Sequence, residues 1–74
     1  MTNYILVVPN LGQQFCETIV KAVGANKCVI SPSDVWVNVA ASSLPSARKK
    51  VFNEWCRVTQ QHFPMSLHEL KNLS

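Results

Sequence analysis

Charge is what this 74-residue chain has least of: seven Lys and Arg and four Asp and Glu make 15% of it, against about 25% in an ordinary globular domain. Only one aspartate is present, Asp34, and the three glutamates, Glu17, Glu54 and Glu69, stand far apart. Paired carboxylates for general acid and base work are therefore missing from the sequence. Glycine is scarce too, and Gly12 and Gly24 stand alone, which excludes a glycine-rich phosphate loop. The three cysteines, Cys16, Cys28 and Cys56, form no Cys-x-x-Cys pair, so neither a zinc ribbon nor a disulfide framework is expected. Buried thiols in a reducing compartment are the simpler expectation. His62 and His68 flank Pro64 without a third ligand at metal spacing, and are expected at the surface. The apolar run from Tyr4 to Val8 is cut at once by Pro9 and Asn10, far short of the roughly 20 residues that a membrane helix needs. No basic segment precedes it, so neither a signal peptide nor a membrane span is expected, and a cytoplasmic location follows.

What fills the space is apolar and uncharged polar. Apolar residues make 47% of the chain, enough for one small core and too many for disorder. Ser, Thr, Asn and Gln together supply 20 residues, and a surface built from them repels other macromolecules only weakly. The net charge of +3 is uneven: Glu17, Lys21, Lys27 and Asp34 cancel over the first forty residues, and the excess lies after Ala41.

Local patterns give an order of elements. Tyr4-Ile5-Leu6-Val7-Val8 is apolar on both faces, as a central strand is. Phe15, Ile19, Ala22 and Val23 recur at helical spacing, predicting a helix from about Gly12 to Val23 with Gly24 as its stop. Lys27 to Ser31 is short and strand-like, and Ser31-Pro32-Ser33-Asp34 has Pro at the second position of a turn. Val35, Val37 and Val39 alternate with Trp36, Asn38 and Ala40, which places a valine edge toward the core and an indole on the opposite face. Ser42-Ser43-Leu44-Pro45 opens a second helix by capping and by proline in its first turn. Ala47, Val51, Trp55 and Val58 carry that helix to about Gln61, where Pro64 approaches. The tail 63–70 reads two ways: Phe63, Met65 and Leu67 alternate like an edge strand, the slightly favoured reading, whereas Ser66-x-x-Glu69 has capping-box spacing. One domain over 1–74, with no repeat or linker, is expected, of α+β class and ferredoxin-like β-α-β-β-α(-β) order: an antiparallel sheet with two helices on one face.

The strings Tyr4-Ile-Leu-Val-Val-Pro-Asn10-Leu11 and Asp34-Val35-Trp36-Val37, set in that order of elements, resemble the small ferredoxin-like proteins of the CRISPR adaptation nuclease, VapD and SinR-like group. The resemblance spans residues 3 to about 60 and lies in hydrophobic pattern. It implies dimers formed through the sheet and, in the nucleases, a metal-binding aspartate at the end of the first strand. This chain has Asn10 there, and a neutral amide brings no charge to a divalent ion. The resemblance therefore implies a binding derivative with no metal-dependent cleavage.

The open face of such a sheet receives either Tyr4, Leu6 and Val8 or Ile5 and Val7, together with Trp36. Tyr4, Leu6, Trp36 and Asn38 are taken as its self-association residues, since contiguous apolar patches are seldom left bare on monomers. The second candidate surface is the basic helix: Arg48, Lys49, Lys50, Asn53 and Arg57 are expected to meet a partner, with Glu54 able to pair with Lys50 or Arg57. No catalytic, cofactor-binding or metal-binding residue is assigned. These features predict a non-enzymatic, homodimeric interaction module for a protein or nucleoprotein partner, an inhibitor or adaptor of the kind that phages and mobile elements encode. The alternative is a nucleic-acid-binding protein or residual metal-dependent nuclease of the resembling group.

Overall fold

A computed structural model describes residues 1–73. The elements are β1 (Thr2–Pro9), α1 (Gln13–Val23), β2 (Cys28–Ile30), β3 (Asp34–Ala41), α2 (Leu44–Thr59) and β4 (Lys71–Asn72), with single 3-10 turns at Ala25–Lys27 and Leu67–Glu69. The strands form one sheet in the order β2-β3-β1-β4, and every neighbouring pair is antiparallel. This is the α+β, ferredoxin-like arrangement expected from the sequence, with both helices on one face.

Each element ends where its residues require. Gly12 precedes α1 at φ 112° and Gly24 follows it at φ 109°, a backbone region that costs a residue with a Cβ steric energy. A methyl on Gly24 would also meet the Asn26 Oδ1 at 3.2 Å. Ser43 caps α2, its Oγ accepting from the Ser46 N–H at 3.3 Å, a contact typically worth about 1 kcal/mol. The helix stops two residues before the expected Gln61. Gln60 turns left-handed at φ 58° and donates its N–H to the Cys56 carbonyl, while the Thr59 hydroxyl accepts from the Gln61 N–H. The stop is thus local hydrogen bonding and not the approach of Pro64.

Alternation along β3 decides the faces. Val35, Val37, Val39 and Ala41 are buried under the helices, and Trp36, Asn38 and Ala40 are exposed on the other side. In β1 it is Leu6 and Val8 that are buried with them, with Tyr4 packed against the same core. Ile19 of α1 and Val51 of α2 close that core from above. The tail is not the edge strand favoured over 63–70: a 3-10 turn stands at Leu67–Glu69 and the two-residue β4 lies beyond it. Phe63 is buried and Met65 half-buried, but Leu67 is exposed in the 3-10 turn, where the Glu69 N–H reaches the Ser66 carbonyl at 3.0 Å. Strand pairing begins only at Lys71, after the fully buried Leu70.

Candidate functional site

The open face is built from the residues that β1 and β3 turn away from the helices. Register sets Val29 opposite Trp36, Trp36 opposite Val7, and Val7 opposite Lys71, so one row of side chains crosses all four strands. Ile5 lies beside it, opposite Asn38, and Asn3 opposite Ala40. Val29 is 65% exposed, and Trp36 and Ile5 are each 37% exposed. Trp36 and Asn38 stand where the sequence put them. Tyr4 and Leu6 do not: Leu6 pairs with Val37 and is fully buried, and Tyr4 shares that helix-covered side. The β1 residues of the open face are Ile5 and Val7. A run that is apolar on both faces carries no parity signal, whereas the register with β3 does.

The basic helix is dispersed by its own geometry. Residues 48 and 50 project about 200° apart on a helix of 3.6 residues per turn. Arg48 turns to the tail, its Nε donating to the Leu70 carbonyl at 2.8 Å. Lys50 turns to the sheet, its Nζ donating to the Ala40 carbonyl at 2.6 Å. Glu54 pairs with Arg57 at 2.5 Å, one of the two partners that spacing allows it. That hydrogen bond holds the Glu54 carboxyl below its ordinary range and raises the Arg57 guanidinium, and the positive charges of Arg57 and Lys27 act on Glu54 in the same direction. Lys49 and Asn53 are exposed.

At the end of β1 the Asn10 side chain is fully engaged. Its Nδ2 donates to the Ser31 carbonyl at 2.8 Å, and its Oδ1 accepts from the Gly12 N–H at 2.9 Å and from the Cys16 thiol at 3.3 Å. It ties the loop before α1 to the turn before β3. Asp34 opens β3, and its carboxylate accepts the Ser31 hydroxyl at 2.6 Å. Among the described residues no group of three or more His, Cys, Asp or Glu is placed to hold a metal ion, and no helix is long and apolar enough to cross a membrane. Asp34 and Glu69 both line one depression beside Lys71, which their distance in sequence hides.

Asn10→Asp tests this network. The carboxylate keeps both acceptor contacts but faces the Ser31 carbonyl with no proton to give, which should cost about 1–3 kcal/mol at neutral pH. Protonation restores a donor, so the carboxyl should titrate above its unfolded value of about 3.9 in the folded variant. The deficit should then shrink as pH falls below that range and widen as pH rises through it. Urea denaturation of both chains at acidic and neutral pH measures this; equal stability at both would contradict the assigned contacts.

The cysteines are free, and they differ. Cys16 is buried as expected and Cys28 half-buried, but Cys56 is exposed on α2. Burial pushes the Cys28 thiol up, and the neighbouring Cys16 adds to the effect; a thiol held protonated is a poor nucleophile.

Comparison with family models, with curated proteins and with solved structures finds no match.

Proposed function

We propose that this protein is a small interaction module that acts by binding a larger macromolecular partner, with no chemistry of its own, and that two copies associate through the open face of the sheet. The row Val29, Trp36 and Val7, with Ile5 beside it, carries this reading: it is apolar, it crosses adjacent strands, and among the described residues no helix lies over it. Of the charged side chains only Lys71 stands in that row, so a second copy laid against it meets little repulsion. Two such faces stack about 10 Å apart.

The size of the face sets the strength. At about 4.8 Å per strand and 3.3 Å per residue, β1 and β3 offer roughly 250 Å² of flat area. A stacked pair therefore falls below the roughly 1,200 Å² of a standard interface, and the dimer should be weak and concentration-dependent. The larger partner is met elsewhere, with Lys49 and Asn53 as the uncommitted side chains of the basic helix. A protein partner is favoured over nucleic acid because Arg48 and Arg57 are each held by a bond within the chain, leaving fewer cations for phosphates.

Trp36→Lys is the test. Sedimentation velocity should show the wild type growing heavier with concentration and the variant remaining a monomer with unchanged helical circular dichroism. A wild type that stays monomeric up to millimolar concentration would overturn the reading.

A further inference from the structure

A second surface, separate from the open face, lies along the outer edge of β3. Strand β2 pairs with Val35, Trp36 and Val37 and no further, while β3 runs on to Ala41. The outward groups of this edge are fixed by parity. The Asp34 carbonyl accepts from the Ser31 N–H and the Ala40 carbonyl from Lys50, so the even-numbered residues point toward the β2 side. In an antiparallel ladder a residue turns its N–H and its C=O to the same neighbour. Asn38 and Ala40 therefore aim their main-chain groups past β2, along a stretch of edge that no described strand covers and whose near end meets the 3-10 turn Ala25–Lys27.

Beside that edge, on the helix side, is a groove of about 460 Å³. Val23 at the end of α1 gives it an apolar wall, with the buried Ala22 and Val51 beneath. Lys27, Lys50 and Glu54 stand around it, and Glu54 is already neutralised by Arg57. Glu54 also feels the charge of Lys27, and with Arg57 paired to it the two lysines leave the groove net positive. Lys50 spends its ammonium on one carbonyl at an exposed position, a bond that water replaces at little cost.

We propose that this edge and groove bind an extended acidic peptide, which adds to β3 as a strand over residues 38–41. Its N–H replaces Lys50 at the Ala40 carbonyl, which frees the ammonium for a peptide carboxylate. Side chains of an added strand alternate, so the main chain supplies affinity and every second side chain supplies specificity. The side chains turned to the helices have to include a small apolar one, for Val23, and an acidic one two residues away, for Lys27 or Lys50. A second copy of this chain fits the edge poorly, because antiparallel pairing of two β3 edges brings both sets of Lys27 and Lys50 together.

The test uses the full chain and a fluorescein-labelled, acetylated peptide of sequence Glu-Thr-Val-Thr-Glu-Thr, read by fluorescence anisotropy at low salt. Saturable binding is expected, weakened at least tenfold by the combined substitution Lys27→Glu and Lys50→Glu and lost when Lys replaces Glu in the peptide. A peptide with Pro in place of the Thr after Val, which removes a ladder donor, should bind at least tenfold more weakly. Trp36→Lys should leave the affinity unchanged, because Trp36 belongs to the open face; this separates the edge from the self-association proposed above. No saturable binding of the Glu peptide, indifference to the charge reversal, or tolerance of the proline would each overturn the proposal. A dimer that persists in Trp36→Lys and competes with the peptide would assign the edge to a second copy instead. Circular dichroism of the charge-reversed chain confirms that it folds, and Lys50→Met, which keeps the aliphatic stem, should weaken binding in the same direction.

Discussion

Phe63→Ala should unfold this protein more readily than any substitution in its helices' polar faces, with a loss of about 3–5 kcal/mol. Phe63 is 7% exposed and is enclosed by three aromatic rings. It stacks on Phe52 at 4.9 Å between centroids, meets Trp55 edge-on at 5.1 Å, and lies 6.1 Å from Phe15. Phe15 and Trp55 are themselves 5.4 Å apart, so this one ring joins α1, α2 and the tail. Such aromatic contacts add about 0.5–1.5 kcal/mol each to plain burial. A chain of this length holds roughly 4–11 kcal/mol of stability in all, so the variant loses a large share of it. Its Tm should fall by more than about 15 °C, measured by calorimetry. A loss under about 1 kcal/mol would show that the tail is not part of the core.

The second large effect separates the two faces of β1. Leu6→Ala should cost about 2–5 kcal/mol, because a fully buried side chain leaves a cavity under both helices. Ile5→Ala, one residue away, should cost roughly 1 kcal/mol or less and should instead weaken self-association. Urea denaturation gives the first pair of values and sedimentation the second. If Ile5→Ala destabilised the fold as strongly as Leu6→Ala, the assignment of faces would be wrong.

That neighbouring pair also shows how far the sequence could be read. Tyr4 to Val8 is apolar at every position, so periodicity identifies a central strand and is silent on which residues meet the helices. In β3 the alternation of Val with Trp36, Asn38 and Ala40 settled its faces from sequence, and through register it fixes those of β1. Helix starts were legible because Ser43 and Pro45 act locally. The end of α2 was less so, since Gln60 adopts a left-handed conformation that its residue type does not announce. In the tail, Leu70 and Phe63 are buried by tertiary contacts, which a two-residue period across Phe63, Met65 and Leu67 cannot represent. The basic cluster misled for a geometric reason: adjacency in sequence from Arg48 to Lys50 is dispersal on a helix, with Arg48 reaching Leu70 and Lys50 reaching Ala40. The uncovered edge at 38–41 had no sequence signal at all, because it follows from the shortness of β2 relative to β3.

The reading of the open face as the self-contact is tested most directly by amide and methyl NMR spectra of the wild-type chain, recorded from low micromolar to millimolar concentration. Resonances of Ile5, Val7, Val29 and Trp36 should shift together along one binding curve, while those of Leu6, Val37 and Val51 in the core stay still. Spectra that do not change with concentration, or shifts confined to the helices, would contradict it.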